Sequence, residues 1–305
     1  MGFIACARTM SNPEFHQLYR LNFEAKALLL RLHFEAKSGH VGSALSCAEI
    51  LSFIRFHCWQ PHDTLVLSKG HAASALYSVL AVAGDVSETD LMARYYKDGT
   101  HFSAHPPPNK LPGIPFATGS LGHGASLATG LALGARLRAH EGETLPTVFC
   151  VLSDGELNEG STWEAFAFAA HHKLSNLTFF LDHNKLQGFG RTDEVLNMEP
   201  LTSKLLAFGL SVTSAKGHNF SSLDQGYQEV TVAADRDAKP SLVIAETIKG
   251  RGLPKIADTV DCHYLPMTAE MYEQVLNFCE AETNQLLSEE TKEGEPCEWN
   301  SRERS

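Results

Sequence analysis

The 305-residue chain is long enough to bury a large core, either in one sizeable α/β domain or in two small ones. Apolar residues make up 43% of it and charged residues 20%, which excludes an intrinsically disordered chain. The formal net charge of −11 argues against a general nucleic-acid-binding protein. Phosphate ligands are not excluded, because backbone amides and a bound cation hold them without net positive charge.

Cysteine usage and hydropathy predict a cytoplasmic protein that does not enter a membrane. The seven cysteines are scattered, and no two of them form a CxxC pair. Such a set is typical of reduced thiols and not of a disulfide framework or a zinc site. No apolar run approaches the roughly 18 residues that span a bilayer. The short apolar stretch "GFIACA" near the N-terminus is followed, not preceded, by a basic residue, unlike a signal peptide.

The N-terminal half predicts helices that are joined by glycine-rich or proline-rich turns. Residues 1–12 are predicted to be an extension, and leucines at helical spacing predict the first helix. The prolines of "HPPPNKLPGIP" exclude a helix interior or a central strand. The predicted elements are a helix over 14–34, a turn over 38–43, a helix over 46–58, a strand over 63–68, a helix ending near residue 84, a stiff loop over 105–115 and a helix after the glycine-rich segment 118–124.

The C-terminal half predicts a parallel sheet. Apolar runs over 147–152, 177–182 and 241–247 alternate with helical patterns, which is the βαβ signature of a sheet covered by helices on both faces. Ser161 and Glu164 fit a capping box for the helix after the first of these strands. A last helix is predicted over 268–287, and the charged tail 288–305 is predicted to be disordered. We therefore expect one α/β domain over 13–287.

Polar residues follow two of these predicted strands. Asp154 and Gly155 come after one strand, and Asn184 comes after the next. Ligands of open parallel sheets bind beyond the carboxyl ends of the strands. A carboxylate and an amide oxygen suit Mg²⁺ or Ca²⁺ and not zinc, and a glycine lets a diphosphate approach the backbone. The alternative is that these residues only form turns, where Asp, Asn and Gly are common.

Six segments, in order, resemble the transketolase family. "SDGELNEG" is followed, thirty residues after Asp154, by the asparagine of "LDHNKLQ", which resembles the family's thiamine diphosphate motif. The resemblance continues in "AKSGHVGSALSCAEIL", "DTLVLSKGHAASALY", "FSAHP", "TGSLGHG" and "AETIKGRG", and it covers most of residues 15–265. The resemblance implies the parallel-sheet fold that binds the diphosphate of this cofactor.

The resemblance also implies a metal and diphosphate site. Asp154 and Asn184 match the side-chain ligands of Mg²⁺, for which Ca²⁺ or Mn²⁺ are possible substitutes, and the carbonyl of Leu186 matches a third ligand. Gly155 matches a residue that contacts the diphosphate. Glu159 matches an acidic residue at the contact between subunits.

The remaining implied site residues surround the reactive part of the cofactor. Gly119 and Leu121 match the loop beside the aminopyrimidine ring. The histidines that match catalytic residues near the thiazolium carbon and the ketose are His40, His71 and His105, with His71 also a cofactor contact. Imidazoles suit this chemistry on their own account, since they gain and lose protons near neutral pH.

Three further positions bear on the same site. Ser153 replaces the first glycine of the family's GDG. His263 matches a further catalytic histidine, but it stands in "DCHYLPM" where the family has WHG. Among the other histidines, His123 is expected to join the site, because it lies inside the segment "TGSLGHG".

The implied activity is transfer of a two-carbon ketol unit from a ketose to an aldehyde, with sugars or sugar phosphates as substrates. The chain ends where the first domain of a transketolase would end, so we expect a two-chain enzyme. Its partner would be a C-terminal subunit with the pyrimidine-binding domain, in an α2β2 assembly. Two alternatives are two-carbon transfer to a carrier-protein thiol, and a non-catalytic regulatory homologue that binds the cofactor.

Overall fold

The computed structural model describes residues 10–140 and 142–293. Five parallel strands form one sheet in the order β1-β2-β3-β5-β4. The strands are β1 (Thr64–Leu67), β2 (Val148–Ser153), β3 (Leu177–His183), β4 (Ser211–Lys216) and β5 (Ser241–Glu246). The helices are α1 (Asn12–Ala36), α2 (Val41–Phe53), α3 (Ala73–Val82), α4 (Glu88–Arg94), α5 (Gly124–Arg138), α6 (Gly160–His171), α7 (Thr192–Leu196), α8 (Leu201–Ala207), α9 (Phe220–Asp237), α10 (Asp261–Tyr264) and α11 (Ala269–Glu293).

The sheet has a buried core on each face, as the apolar strands predict. Phe149 and Phe180 point into the core that also contains residues of α1, α2, α3 and α9. Cys150 and Phe179, one residue away, point into the core formed with α5, α6 and α8. Because consecutive side chains of a strand alternate between faces, a strand buried on both faces must be apolar throughout. The prediction of a parallel sheet with helices on both faces is therefore confirmed.

Three features of the fold differ from the sequence-based expectation. α2 begins at Val41, inside the predicted turn 38–43, because His40 already caps this helix, and its α-helical part ends at Phe53, before the predicted end at residue 58. β4 was not predicted, because its sequence "SVTSAK" is half exposed and polar at the edge of the sheet. The capping box proposed for α6 was wrong. The helix begins at Gly160, and the hydroxyl of Ser161 donates to the carbonyl of Gly122 at 2.8 Å. This bond ties α6 to the glycine-rich segment 118–124.

The two ends of the domain extend slightly beyond the predicted helices. At the start of α1, the backbone N–H of Ser11 donates to Glu14 Oε2 at 2.8 Å. α11 continues to Glu293, past the predicted end at residue 287, although its final turns are rich in charge. Residues 1–9 and 294–305 lie outside the described residues, so the extension, the tail and the domain boundaries stay predictions.

The cysteines of the described part are not paired. Cys47, Cys58, Cys150, Cys262 and Cys279 are all free thiols. Within residues 10–140 and 142–293, no helix combines the length and the apolar composition needed to cross a membrane.

Candidate active site

A cavity of about 270 Å³ opens at the carboxyl edge of the sheet, beyond β2 and β3. In the register of these strands Ser153 lies opposite Asp182, so the residues that follow come together. The backbone N–H of Lys185 donates to Asp154 Oδ2, which joins the two strand ends directly. Of the predicted site residues, only Glu159 and His123 lie outside the lining of this cavity; the residues that line it are His40, His71, His105, Gly119, Leu121, Asp154, Gly155, Asn184, Leu186 and His263.

One wall of the cavity carries the predicted metal ligands. Asp154 is buried, and burial, reinforced by the nearby Asp182 carboxylate, raises its pKa to about 6. Asn184 Oδ1 accepts from the backbone N–H of Leu186 at 3.0 Å. No three His, Cys, Asp or Glu side chains of the described chain form a metal site by themselves. A carboxylate, an amide and a carbonyl are hard oxygen donors that fit Mg²⁺ when phosphate and water complete its shell. The raised pKa fits as well, because a cation would relieve the buried charge.

Gly155 lies on the same wall, at a position where the neighbouring Gln187 leaves little space for a side chain. A Cβ atom there would lie 3.1 Å from Gln187 Cγ. Gln187 Nε2 is a buried donor that lacks a hydrogen-bond partner in the described structure. A polar ligand in the cavity would satisfy this amide, as buried polar groups ordinarily require. These features fit an anionic group lying against the backbone.

Lys249 is a cation in this cavity to which the sequence assigned no role. Its Nζ donates to the carbonyl oxygen of Leu186 at 2.9 Å and to that of Gln187 at 3.4 Å. Burial, together with the nearby Lys69 ammonium, lowers its pKa to about 8. The carbonyl predicted to bind metal therefore accepts a hydrogen bond from an ammonium group in this structure. The only sequence signal was the presence of Lys249 in the segment "AETIKGRG".

The opposite wall is a cluster of imidazoles. The ring centroids of His40 and His263 are 4.7 Å apart, and those of His71 lie 5.9 and 5.8 Å from them. Burial lowers the pKa of all three, and the neighbouring cations and imidazoles lower it further. For His263 the pKa falls to about 3. A neutral imidazole accepts a hydrogen bond at one ring nitrogen and donates one from the other, so at neutral pH this cluster can bind hydroxyl groups.

The backbone aims His40 into the cavity. His40 has a left-handed conformation with φ 69°, an uncommon one for a residue other than glycine, and it directly precedes α2. Its N–H donates to the carbonyl of His263 at 2.9 Å. A Cβ atom on Gly39 would lie 2.9 Å from the carbonyl oxygen of Tyr264. The turn that contains His40 therefore packs directly against the segment that contains His263.

His105 and Gly119 lie against each other. A Cβ atom on Gly119 would be 3.2 Å from His105 Cδ2, so only glycine leaves the imidazole its present position. The hydroxyl of Tyr77 donates to the carbonyl of His105 at 2.9 Å, which anchors the proline-rich loop. His123 is exposed at the start of α5 and lies outside the cavity lining.

The two glutamates of the acidic loop have different environments. Glu156 is fully buried and accepts from the N–H of Gly122 at 2.7 Å and from the hydroxyl of Ser68. It therefore fixes the segment 118–124 against β1 and β2, a role that the sequence did not reveal. Glu159 is exposed beside Gly122, where an added Cβ atom would be 2.7 Å from Glu159 Cβ. Its position leaves it accessible to another chain.

His33, a third residue whose role the sequence did not reveal, supports the turn of His40, and its burial makes the stability of the chain depend on pH. It is fully buried and bonds the hydroxyls of Ser38 and Ser74 at 2.9 and 2.7 Å. Burial lowers its pKa to about 4, below the ordinary 6.5. Because the unfolded chain then binds the proton more tightly, stability is lost as the pH falls from about 6.5 to about 4. We expect this residue to contribute roughly 3 kcal/mol to that loss.

Urea unfolding of the metal-free chain at several pH values between about 7 and 4 tests the prediction. His33→Gln should flatten the decrease in the free energy of unfolding over this range. The surface substitution His101→Gln should keep the wild-type slope. Equal slopes for His33→Gln and the wild type would contradict the assignment.

The parallel α/β domain has a wall of oxygen donors and a wall of imidazoles at the carboxyl edge of its sheet. This arrangement suits an anionic cofactor that is held through a cation. Residues 25–283 match the family described as transketolase, thiamine diphosphate binding domain. The chain belongs to this family, which confirms the resemblance found in its sequence.

Individual relatives and structures agree with this family. The chain is 37% identical over 254 residues to 6-deoxy-6-sulfo-D-fructose transketolase subunit SqwG of Clostridium sp. (strain MSTE9), covering 80% of this chain and 89% of the relative. It is 33% identical over 259 residues to one subunit of the apulose-4-phosphate transketolase of Phocaeicola vulgatus, covering 81% and 88%. The crystal structure of transketolase from Campylobacter jejuni superposes with a TM-score of 0.74 at 25% identity, covering 93% of this chain and 48% of that one. The chain thus spans less than half of that transketolase.

Proposed function

We propose that this chain is the thiamine-diphosphate- and Mg²⁺-binding subunit of a two-chain transketolase. The proposal rests on one cavity that joins Asp154 and Asn184 to the histidine cluster, in a member of the transketolase family. The bound cofactor would supply the carbanion chemistry that breaks and forms the carbon–carbon bond of the ketose. Ca²⁺ or Mn²⁺ would substitute for Mg²⁺, because all three accept oxygen ligands.

The chain's own residues would hold the cofactor and handle protons. Asp154, Asn184 and the carbonyl of Leu186 would bind the cation, with Gly155 and Lys249 beside the diphosphate. His263 Nδ1 lies 3.4 Å from Ser43 Oγ, which leaves its Nε2 for a ligand in the cavity. As neutral bases, the histidines would accept a proton from a substrate hydroxyl and return it to the product.

A separate C-terminal subunit would complete the site. Two relatives of similar length are named as transketolase subunits, and the alignments span most of both. Glu159, exposed next to the loop of Gly119 and Leu121, would face the partner in an α2β2 assembly. The names of these relatives suggest a ketose that carries a sulfonate or a phosphate as the donor. Five free cysteines in the described chain support a cytoplasmic location.

Reconstitution with the cognate C-terminal subunit tests the proposal. With thiamine diphosphate and Mg²⁺, the pair should transfer a ketol unit, whereas the 305-residue chain alone should not. Donors to compare are 6-deoxy-6-sulfofructose, apulose 4-phosphate and xylulose 5-phosphate, with calorimetry reporting cofactor binding. Robust transfer by the chain alone would refute the two-chain enzyme. Absence of cofactor binding by the pair would favour a regulatory homologue instead.

A further inference from the structure

Asp182 is a fully buried carboxylate two residues before Asn184. Its Oδ1 accepts from the hydroxyls of Ser46, at 2.7 Å, and Thr247. Its Oδ2 forms an ion pair with Lys69 and accepts from the side-chain amide of Asn184 at 3.3 Å. These donors come from α2, from the segments after β1 and β5, and from the end of β3 itself. The carboxylate is therefore held rigidly from several directions.

This arrangement determines which way the amide of Asn184 points. Asn184 Nδ2 donates to Ser46 Oγ at 3.0 Å as well as to Asp182 Oδ2. A flipped amide would lose both bonds and would place its oxygen against a carboxylate, which is electrostatically unfavourable. Only the observed orientation keeps Oδ1 on the side of Leu186 and the cavity.

The hydroxyl of Ser46 helps to select this orientation of the Asn184 amide. It donates its single proton to Asp182 Oδ1, so its oxygen is left to accept from Asn184 Nδ2. The charge of Asp182 thereby fixes the direction in which the Ser46 hydroxyl donates, and the Ser46 oxygen in turn fixes the orientation of the Asn184 amide. Thr247 also donates to Asp182 and lies 3.1 Å from Ser46 Oγ, but it makes no bond to Asn184, so it offers a comparison in which the amide keeps both of its own partners.

We propose that Asp182, acting with Ser46, is a positioning residue that presents Asn184 Oδ1 to a divalent cation. This inference rests on the proposed function, since it concerns the same metal site. Groups that orient metal ligands typically change metal affinity by 10–100-fold when they are removed. Asp182 thus sets the affinity for the cation without contacting it.

The test compares Ser46→Ala with Thr247→Val in the two-chain enzyme. Mn²⁺ binding is measured by electron paramagnetic resonance of the free ion, in the presence of thiamine diphosphate. We expect Ser46→Ala to raise the Kd for Mn²⁺ about tenfold, and Thr247→Val to change it less than about threefold. Excess Mg²⁺ should restore the kcat of Ser46→Ala, because only the metal occupancy is impaired.

Asp182→Asn gives the larger effect, an increase of about 10–100-fold in the Kd for Mn²⁺. If this variant fails to fold, the comparison of Ser46→Ala with Thr247→Val still tests whether the Asp182–Ser46 contact sets the Mn²⁺ affinity. Equal Mn²⁺ affinity of Ser46→Ala, Thr247→Val and the wild type would overturn the inference while leaving the proposed function standing. A wild-type enzyme that binds no Mn²⁺ with thiamine diphosphate would overturn both.

Discussion

Replacing Asp154 with asparagine should lower the kcat/KM of the two-chain enzyme by at least about 100-fold, while leaving the chain folded. The substitution removes the single carboxylate that the predicted metal site draws from this chain. Loss of outer groups that merely orient metal ligands already costs 10–100-fold, so loss of the charged ligand should cost more. Steady-state kinetics with xylulose 5-phosphate at saturating thiamine diphosphate measures the effect.

In the metal-free chain, the same substitution should increase the free energy of unfolding. Burial, with Asp182 next in importance, raises the pKa of Asp154 to about 6, so above that pH the ionised carboxylate destabilises the folded state. The penalty disappears as the pH falls below about 4, where the group is protonated in both states. Asparagine avoids the buried charge but loses one of the bonds from the N–H groups of Gly155 and Lys185. We expect a net gain of about 1 kcal/mol in the free energy of unfolding at pH 8.

Asp98→Asn, on the surface and outside the cavity lining, serves as the control for both measurements. It should change neither the kcat/KM nor the stability of the metal-free chain. If Asp154→Asn retained wild-type kcat/KM, Asp154 would not be a metal ligand. If it retained activity and also stabilised the chain, the carboxylate would have no function in this cavity.

The position of the site could be predicted from sequence, because it depends on short-range patterns. β2 and β3 are continuous apolar runs, and Asp154 and Asn184 follow them directly. Parallel pairing of neighbouring strands then places both residues at one edge of the sheet. β4 was not predicted from the sequence. A half-exposed edge strand needs no apolar run, so the sequence of β4 resembles that of a loop.

The residues that support the site were harder to predict, because their roles depend on burial and on distant neighbours. Glu156 and Glu159 are three residues apart in one acidic loop, yet one is fully buried and the other is exposed. Lys249 and Asp182 obtain their roles from chain segments more than sixty residues away. A single sequence gives residue types and local periodicity, but not these pairings.

The second large effect is expected for Lys69→Met, which should destabilise the chain by about 3–5 kcal/mol. Lys69 and Asp182 form a fully buried ion pair that connects the turn before His71 to the end of β3. Burial alone would raise the pKa of Asp182, but Lys69, helped by Thr247 and other hydrogen-bond donors, holds it below its ordinary value. Methionine fills a similar volume and leaves the carboxylate buried without its counter-charge.

The pH dependence of this loss separates an unpaired charge from a simple packing defect. Without Lys69, the pKa of Asp182 should rise, so protonation would favour the folded state. Urea unfolding should then show a smaller difference between Lys69→Met and the wild type at pH 5 than at pH 8. Lys69→Met combined with Asp182→Asn should recover part of the stability, because no unpaired charge remains. A loss that is equal at both pH values, and that the double variant does not reduce, would show that Lys69 acts by packing alone.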